Sequence, residues 1–301
     1  MNVLVLEGGT STSRATVVAE GHVVSRALRP GGARDRDRER FLEALVGAAR
    51  EALEVGGVEA GRTVACGMLG SEWGLAEVPH VAVPAGPDEL ALGAVDVAVP
   101  ELSPSPVTVI PGVRTDRDAC RGEETAAMGL PARRLVFPGS HTKLVERDGS
   151  GRIVGLSTSA SGELVRAIAD CTLPGAEVGS VEARTLDEED LRQGALDGSR
   201  HGLGFAAFQL RARRLVGRRL SDPLAYLMGA AAADEWRMLG DGEVWVAVDS
   251  EWAAAWAEAL RAAAGDRRDA VHTLDAAEAA VRGALLVLRR RDGGPSGEDP
   301  G

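Results

Sequence analysis

The chain has 301 residues, 45% of them hydrophobic, with Lys+Arg 34 against Asp+Glu 45 and a net charge of −11. That is core enough for the upper size of one domain, so two lobes are expected, and the acidic balance excludes a protein built to neutralise nucleic-acid phosphates. No apolar run approaches the roughly 20 residues that span a bilayer, and Cys66, Cys120 and Cys171 are scattered without a CxxC, against a disulfide scaffold or structural zinc site.

Val3 to Leu6 is an apolar, β-branched run ended by Gly8 and Gly9, and it reads as a buried strand. Arg14 to Ala19 and His22 to Ala27 flank Glu20-Gly21, a hairpin signal. Phe41, Leu42, Leu45, Val46, Ala49 and Leu53 recur at helical spacing, so an amphipathic helix is predicted from Asp37 to Glu54. Thr63 to Met68 is another strand, which makes the first lobe βββαβ. The segment from Val81 to Val113, rich in Pro and Val, reads as irregular strands that finish this lobe.

The same order then returns. Arg134 to Phe137 is a strand, and Thr142 to Arg147 and Arg152 to Ser157 form a second hairpin. A helix starts near Gly162, with Ser161 as its candidate cap. Helices follow over Asp187 to Val216 and from Pro223 to Leu239. Glu243 to Val248 is a strand, Ser250 to Ala264 a helix, Ala270 to Thr273 a strand and Asp275 to Arg290 a helix. The expected class is α/β, with two similar lobes, residues 1–130 and 131–291, a cleft between them, and a disordered tail over 292–301. With neither a basic n-region nor an h-region at the start, no signal peptide is expected, and a reducing cytoplasm fits.

Two turns carry potential chemistry. Glu7 to Arg14 and Pro138 to Lys143 are glycine and hydroxyl turns between strands, at equivalent places in the two halves. Glycines bring backbone N–H groups close to an anion, and hydroxyls add donors. Each turn alone also suits a plain hairpin; the pair predicts a polyphosphate clamp, with Arg14 and Lys143 on opposite sides of one anion site. No GxxxxGK[ST] element occurs, which excludes a P-loop. Arg121-Gly122-Glu123-Glu124 puts two acids at a helix start, where they suit the dipole or take a proton from a substrate hydroxyl. Cys66 to Gly74 is a strand running into a loop with Ser71, Glu72 and Trp73, the kind of strand end that forms a substrate pocket.

The succession EGGTSTSR, CGMLGSEWG, IPGV, RGEET, FPGSHTK and SGEL resembles the 2-dehydro-3-deoxygalactonokinase family of sugar-acid kinases, in order from residue 3 to about residue 288. The resemblance implies the actin-like (ribonuclease H-like) fold of the sugar kinase, Hsp70 and actin superfamily, with the sugar acid on the N-terminal lobe and the nucleotide on the C-terminal one. It implies transfer of a phosphoryl group from ATP, with Mg²⁺, to the terminal hydroxyl of a 2-dehydro-3-deoxy sugar acid. It places Thr10, Ser11, Thr12 and Arg14 on one phosphate turn and Gly139, Ser140, His141, Thr142 and Lys143 on the other. Glu7 would hold Mg²⁺ through water, and Glu123, with Glu124 second, would be the general base. Ser71, Glu72 and Trp73 would contact the sugar acid, and Arg121 its carboxylate.

The chain departs from the family at several of these places. The family has aspartate at Glu7 and an aromatic at Gly8; a shift on the order of 1 Å at such a position can cost about 100-fold in rate. Val248-Asp249 replaces a Gly-Thr of the adenosine motif, and Ala225 and Ala231 replace Gly and Glu. These departures define a second expectation from another class: a repurposed member that has lost ATP use and binds or transforms an unphosphorylated sugar-acid-like ligand by acid/base chemistry. Neither nucleic acid nor membrane is an expected partner, and a homo-oligomer stays open.

Overall fold

The structure is a computed structural model that describes residues 2–182, 185–240 and 242–294. The chain groups into two units by contact, Met1–Pro131 with Arg147–Leu156 and Glu278–Gly301, and Ala132–Glu146 with Ser157–Ala277.

The first unit opens with β1 (Val3–Gly8), β2 (Thr12–Ala19), β3 (His22–Pro30), α1 (Arg38–Gly56) and β4 (Arg62–Gly67). Val3 to Leu6 is buried on both faces, as a central strand requires. Glu20 and Gly21 both take positive φ, 52° and 85°, the backbone of a type I′ hairpin turn. Asp37 caps α1 by accepting from the Arg40 N–H, and Gly57 closes it at φ 62°. Its buried stripe of Phe41, Leu45, Ala48, Ala49 and Ala52 belongs to the same core as the sheet. The unit continues with β5 (Val81–Ala82), α2 (Pro87–Gly93), β6 (Val95–Val97), β7 (Val107–Val109), β8 (Val113–Arg114), β9 (Ala119–Cys120) and α3 (Glu123–Met128). Its main sheet has the order β3-β2-β1-β4-β7-β6, and β5-β8-β9 is a small separate sheet.

In the second unit, β10 (Arg134–Phe137), β11 (Thr142–Arg147) and β12 (Ile153–Ser159) lead into α4 (Ser161–Cys171), α5 (Glu188–His201), α6 (Leu203–Leu215) and α7 (Pro223–Leu239). Then follow β13 (Val244–Val248), α8 (Glu251–Ala264) and β14 (Val271–Asp275); α9 (Ala279–Arg291) groups with the first unit and packs on α3 and α2. The sheet order is β12-β11-β10-β13-β14. This repeats β3-β2-β1-β4-β7: the first and second strands pair antiparallel in each set, and the last three strands run parallel. Helix α7 is buried almost throughout. It meets α5 so closely that a Cβ on Gly194 would stand 1.9 Å from the Tyr226 carbonyl oxygen, and one on Gly198 2.6 Å from that of Ala230.

Three readings of the sequence change. The stretch from Val81 to Val113 contains α2 rather than strands alone; Pro87 opens it and Glu89 accepts the Gly86 N–H at 2.8 Å. Ser161 is the first residue of α4, not its cap, and its hydroxyl meets that of Ser159. The last helix starts at Ala279 rather than Asp275, because the Asp275 carboxylate holds the Ala277 N–H in a turn at 2.8 Å. Most of the tail expected to be disordered, residues 295–301, lies outside the described residues. Among the described residues no helix is long and apolar enough to cross a membrane.

Candidate active site

The first turn is built by β1, β2 and the chain after β3. Glu7 stands opposite Arg14 across the β1–β2 pair, and its Oε2 accepts from Arg14 Nη1 at 3.4 Å. The turn's carbonyls are used by the backbone after β3: Gly31 N–H donates to Ser11 O, Ala33 N–H to Gly9 O and Arg34 N–H to Thr10 O. Ser13 is buried and donates to Gly31 O at 3.0 Å. Thr10, Ser11 and Thr12 remain exposed, so their hydroxyls are the polar groups this turn offers to solvent.

The carboxyl ends of β1 and β4 meet at glycines. Gly8 is in register with Gly67, and a Cβ on Gly67, whose φ is 70°, would lie 2.4 Å from Gly8 O. Gly122 approaches from the third side, its ideal Cβ position 3.3 Å from Gly67 Cα. This three-glycine stack brings the start of α3 down onto the strand ends. The two acids there separate sharply. Glu123 is partly buried. Glu124 is wholly buried; it accepts the Gly122 N–H at 2.7 Å and the Thr125 hydroxyl at 2.8 Å, and the Cys120 thiol approaches at 3.6 Å. Burial, and next the charge of Glu123, push the Glu124 carboxyl up to about 7. Burial also pushes the Cys66 thiol up, with Glu7 and Glu124 adding to it.

The loop after β4 is braced from two sides. Ser71 donates to Met68 O at 2.6 Å and accepts the Trp73 N–H at 3.3 Å, so its hydroxyl shapes the loop. Arg38 of α1 donates to Gly74 O and Leu75 O. Arg121 reaches from the other side, donating to Val78 O at 2.9 Å and lying 3.3 Å from His80 Nδ1. Its Nη1 is buried, 2.7 Å from where a Cβ on Gly70 would sit. Glu72 is exposed and Trp73 half-buried.

The second turn is assembled within the other unit. Helix α4 starts against it: a Cβ on Gly162 would fall 2.0 Å from Gly139 O, and the Glu163 N–H donates to Ser140 O at 2.8 Å. His141 Nε2 meets Glu163 Oε2 at 2.8 Å, and Lys143 Nζ donates to Thr158 Oγ1 at 2.9 Å. Thr142 is buried. Beneath lies Glu235 of α7, 3% exposed, which accepts Trp256 Nε1–H at 2.6 Å. Sequence reading did not single out Glu235 or Trp256. A signal existed for the first: Glu235 falls at helical spacing between Met228, Ala231, Ala232 and Leu239, an acid on an apolar face.

The departures in the second unit divide. Val248 is half-buried against the second unit's core, whereas Asp249 is exposed just before the Ser250 cap of α8. Ala225 and Ala231 are fully buried within α7, so they fill core rather than line a surface. Of the clustered acids, Cys120, Glu123 and Glu124 bring one ligand atom each within 4.8 Å of one another. This trio suits Mg²⁺ poorly: one donor is a soft sulfur, and Glu124 already accepts from the Gly122 N–H, the Thr125 hydroxyl and the Cys120 thiol. Glu7, a hard oxygen donor whose side chain is 17% exposed, fits the ion better, although Arg14 shares its carboxylate.

The profile of the family described as 2-keto-3-deoxy-galactonokinase matches residues 7–287. No curated protein matches the chain. Among solved structures, a Sinorhizobium meliloti protein provisionally named a 2-dehydro-3-deoxygalactonokinase superposes with a TM-score of 0.78 at 22% identity, covering 99% of each chain. An activator of 2-hydroxyisocaproyl-CoA dehydratase from Clostridium difficile, with bound ADPNP, gives 0.53 at 11% identity over 100% of each chain. An Acidaminococcus fermentans (R)-2-hydroxyglutaryl-CoA dehydratase component A gives 0.54 at 13%, covering 95% of this chain and 96% of that one. The fold is that of the actin-like ATPases and sugar kinases, which accounts for the twice-used strand order.

Proposed function

The chain belongs to the 2-keto-3-deoxy-galactonokinase family of carbohydrate kinases, and from that premise we propose that it phosphorylates the terminal hydroxyl of a 2-dehydro-3-deoxy sugar acid, such as 2-dehydro-3-deoxygalactonate, with ATP. The observation that carries this reading is the unequal pair at the start of α3: Glu123 is partly exposed, while Glu124 is wholly buried.

In this reading Glu123 is the general base. It accepts the proton of the substrate hydroxyl as that oxygen attacks phosphorus, and Glu124 cannot replace it because it is wholly buried. Phosphoryl transfer relies mainly on positioning and on neutralising charge over the phosphate oxygens. Arg14 supplies positive charge beside Glu7, and Thr10, Ser11 and Thr12 supply exposed donors. In the second unit, Gly139, Ser140, His141, Thr142 and Lys143 form the turn for nucleotide phosphate, with Lys143 oriented by Thr158. Glu72 and Trp73 are the sugar-acid contacts. Ser71 and Arg121 act on the same loop, Ser71 through Met68 and Arg121 through Val78 and His80. Glu7 would hold Mg²⁺ through water, and that ion would supply positive charge that neutralises the phosphate.

The test is incubation with ATP·Mg²⁺ and 2-dehydro-3-deoxygalactonate, reading ADP release and the new phosphomonoester by ³¹P NMR. Stoichiometric ADP and a phosphorus signal coupled to the terminal CH₂ support the assignment. Sugar-acid binding without any nucleotide binding by calorimetry would overturn it in favour of a member that has lost ATP use.

A further inference from the structure

The carboxylate of a sugar acid needs a cation, and the loop that would meet it has none of its own. From Met68 to Val78 the chain carries Glu72 and Glu77 and neither lysine nor arginine. A carboxylate arriving there must be met by a charge from another element. Arg121 and Arg38 both hydrogen-bond to this loop. Arg121 is spent on the protein: its Nη2 donates to Val78 O and lies 3.3 Å from His80 Nδ1, and its Nη1 is buried. Arg38 is exposed; its Nε donates to Gly74 O at 2.9 Å and its Nη2 to Leu75 O at 3.3 Å. Those carbonyls take the side edge of the guanidinium fork and leave its end edge, Nη1 with Nη2.

The path of the chain places this fork. Strand β3 ends at Pro30, opposite Thr12, at the same end of the sheet as Gly8 of β1 and Gly67 of β4. Gly32 then lies on the first turn, where a Cβ would fall 2.6 Å from both Gly9 O and Ser11 N, and the Arg34 N–H donates to Thr10 O. Asp37 caps α1, and Arg38 is its first residue. Within four residues the chain passes from the first turn to the loop after β4, at the carboxyl ends of the parallel strands, where such sheets bind ligands. We infer that Arg38 selects for an acid substrate: anchored by Gly74 O and Leu75 O, it presents its end edge to the carboxylate of the sugar acid. Two parallel N–H groups match a carboxylate, and an anchored fork loses little freedom on binding. The inference rests on the reading that Glu72 and Trp73 meet the sugar acid.

The test compares 2-dehydro-3-deoxygalactonate with its carboxamide, which keeps every hydroxyl and loses the charge, in steady-state kinetics with ATP·Mg²⁺. Wild type is expected to prefer the acid in KM by about 30-fold. Arg38→Met is expected to lose that preference: its KM for the acid rises about 30-fold, while its KM for the amide and its kcat stay within about threefold. Arg38→Lys keeps the charge, serves if the first variant does not fold, and is expected to retain a preference of about fivefold. Equal losses on acid and amide would make Arg38 a brace of the loop alone and overturn the inference, as would an unchanged preference in both variants. Wild-type protein that phosphorylates neither compound would overturn both the inference and the reading it rests on.

Discussion

The buried acid Glu124 makes the stability of this protein depend on pH in an unusual direction. Its carboxyl is held up at about 7 against an ordinary value of 4.5, chiefly by burial and next by Glu123. The folded state therefore binds this proton more tightly than the unfolded state does. Stability from this group is complete below the unfolded value and is lost as pH rises toward the folded value. Integrating the two titrations gives a loss of about 2–3 kcal/mol between pH 5 and pH 8. Glu124→Gln cannot titrate. Its amide can still accept one of the two bonds now made by Gly122 N–H and the Thr125 hydroxyl, and whatever the other costs is the same at every pH. The assay is urea denaturation of wild type and variant at pH 5 and pH 8. The wild type is expected to lose about 2–3 kcal/mol more than the variant across that interval, whatever their absolute stabilities. Parallel profiles would refute the reasoning, because they would mean Glu124 is already ionised at pH 5.

Three further outcomes are expected. Glu123→Gln should lower kcat about 10²–10⁴-fold with the melting temperature nearly unchanged; activity near wild type would remove Glu123 as base. Gly67→Ala should cost about 3 kcal/mol or more in urea denaturation, because φ is 70° and the new Cβ would lie 2.4 Å from Gly8 O; a cost under about 1 kcal/mol would mean that the β1–β4 strand ends separate easily. Asp249→Thr should tighten ATP·Mg²⁺ binding no more than about fivefold, since Asp249 is exposed and its repulsion of phosphate is screened. A gain near 100-fold in calorimetry would show that this carboxylate stands against the nucleotide.

The elements legible in the sequence are those whose signals are local. Glu20-Gly21 announced its hairpin because Gly21 takes a positive φ at no steric cost, and Asp37 and the Phe41-Leu45-Ala49 stripe announced α1. Helix α2 was hidden because its seven residues lie inside a Val- and Pro-rich segment; Pro87 followed by Asp88 and Glu89 was the available signal. The site was legible as motifs but not as geometry. RGEET marks two acids, yet that one is partly and the other wholly buried follows from Gly122 stacking on Gly67, a contact across 55 residues of sequence. Ser71 and Arg121 looked like substrate ligands by type. The Ser71 hydroxyl donates to Met68 O and Arg121 Nη2 to Val78 O, contacts that only the folded chain reveals. Glu235 is the opposite case: unremarked in a helical run, it is buried and accepts the Trp256 Nε1–H from another helix.

The departures at Glu7 and Gly8 are best understood together. A side chain on Gly8 has nowhere to go, since its Cβ would lie 2.7 Å from both Phe41 Cζ and Leu69 Cγ. Phe41, buried on α1, therefore occupies the space that a side chain at position 8 would need, and the close Gly8–Gly67 backbone approach is preserved. Glu7 then carries its acid one methylene further from the strand, and Arg14, directly opposite on β2, takes hold of it at 3.4 Å. That pairing is partly exposed, so it contributes little to stability, on the order of 1 kcal/mol or less. Its consequence is electrostatic. A guanidinium beside the carboxylate opposes a second cation there while favouring an anion, so the local field at this turn admits a divalent cation more readily when an anion accompanies it.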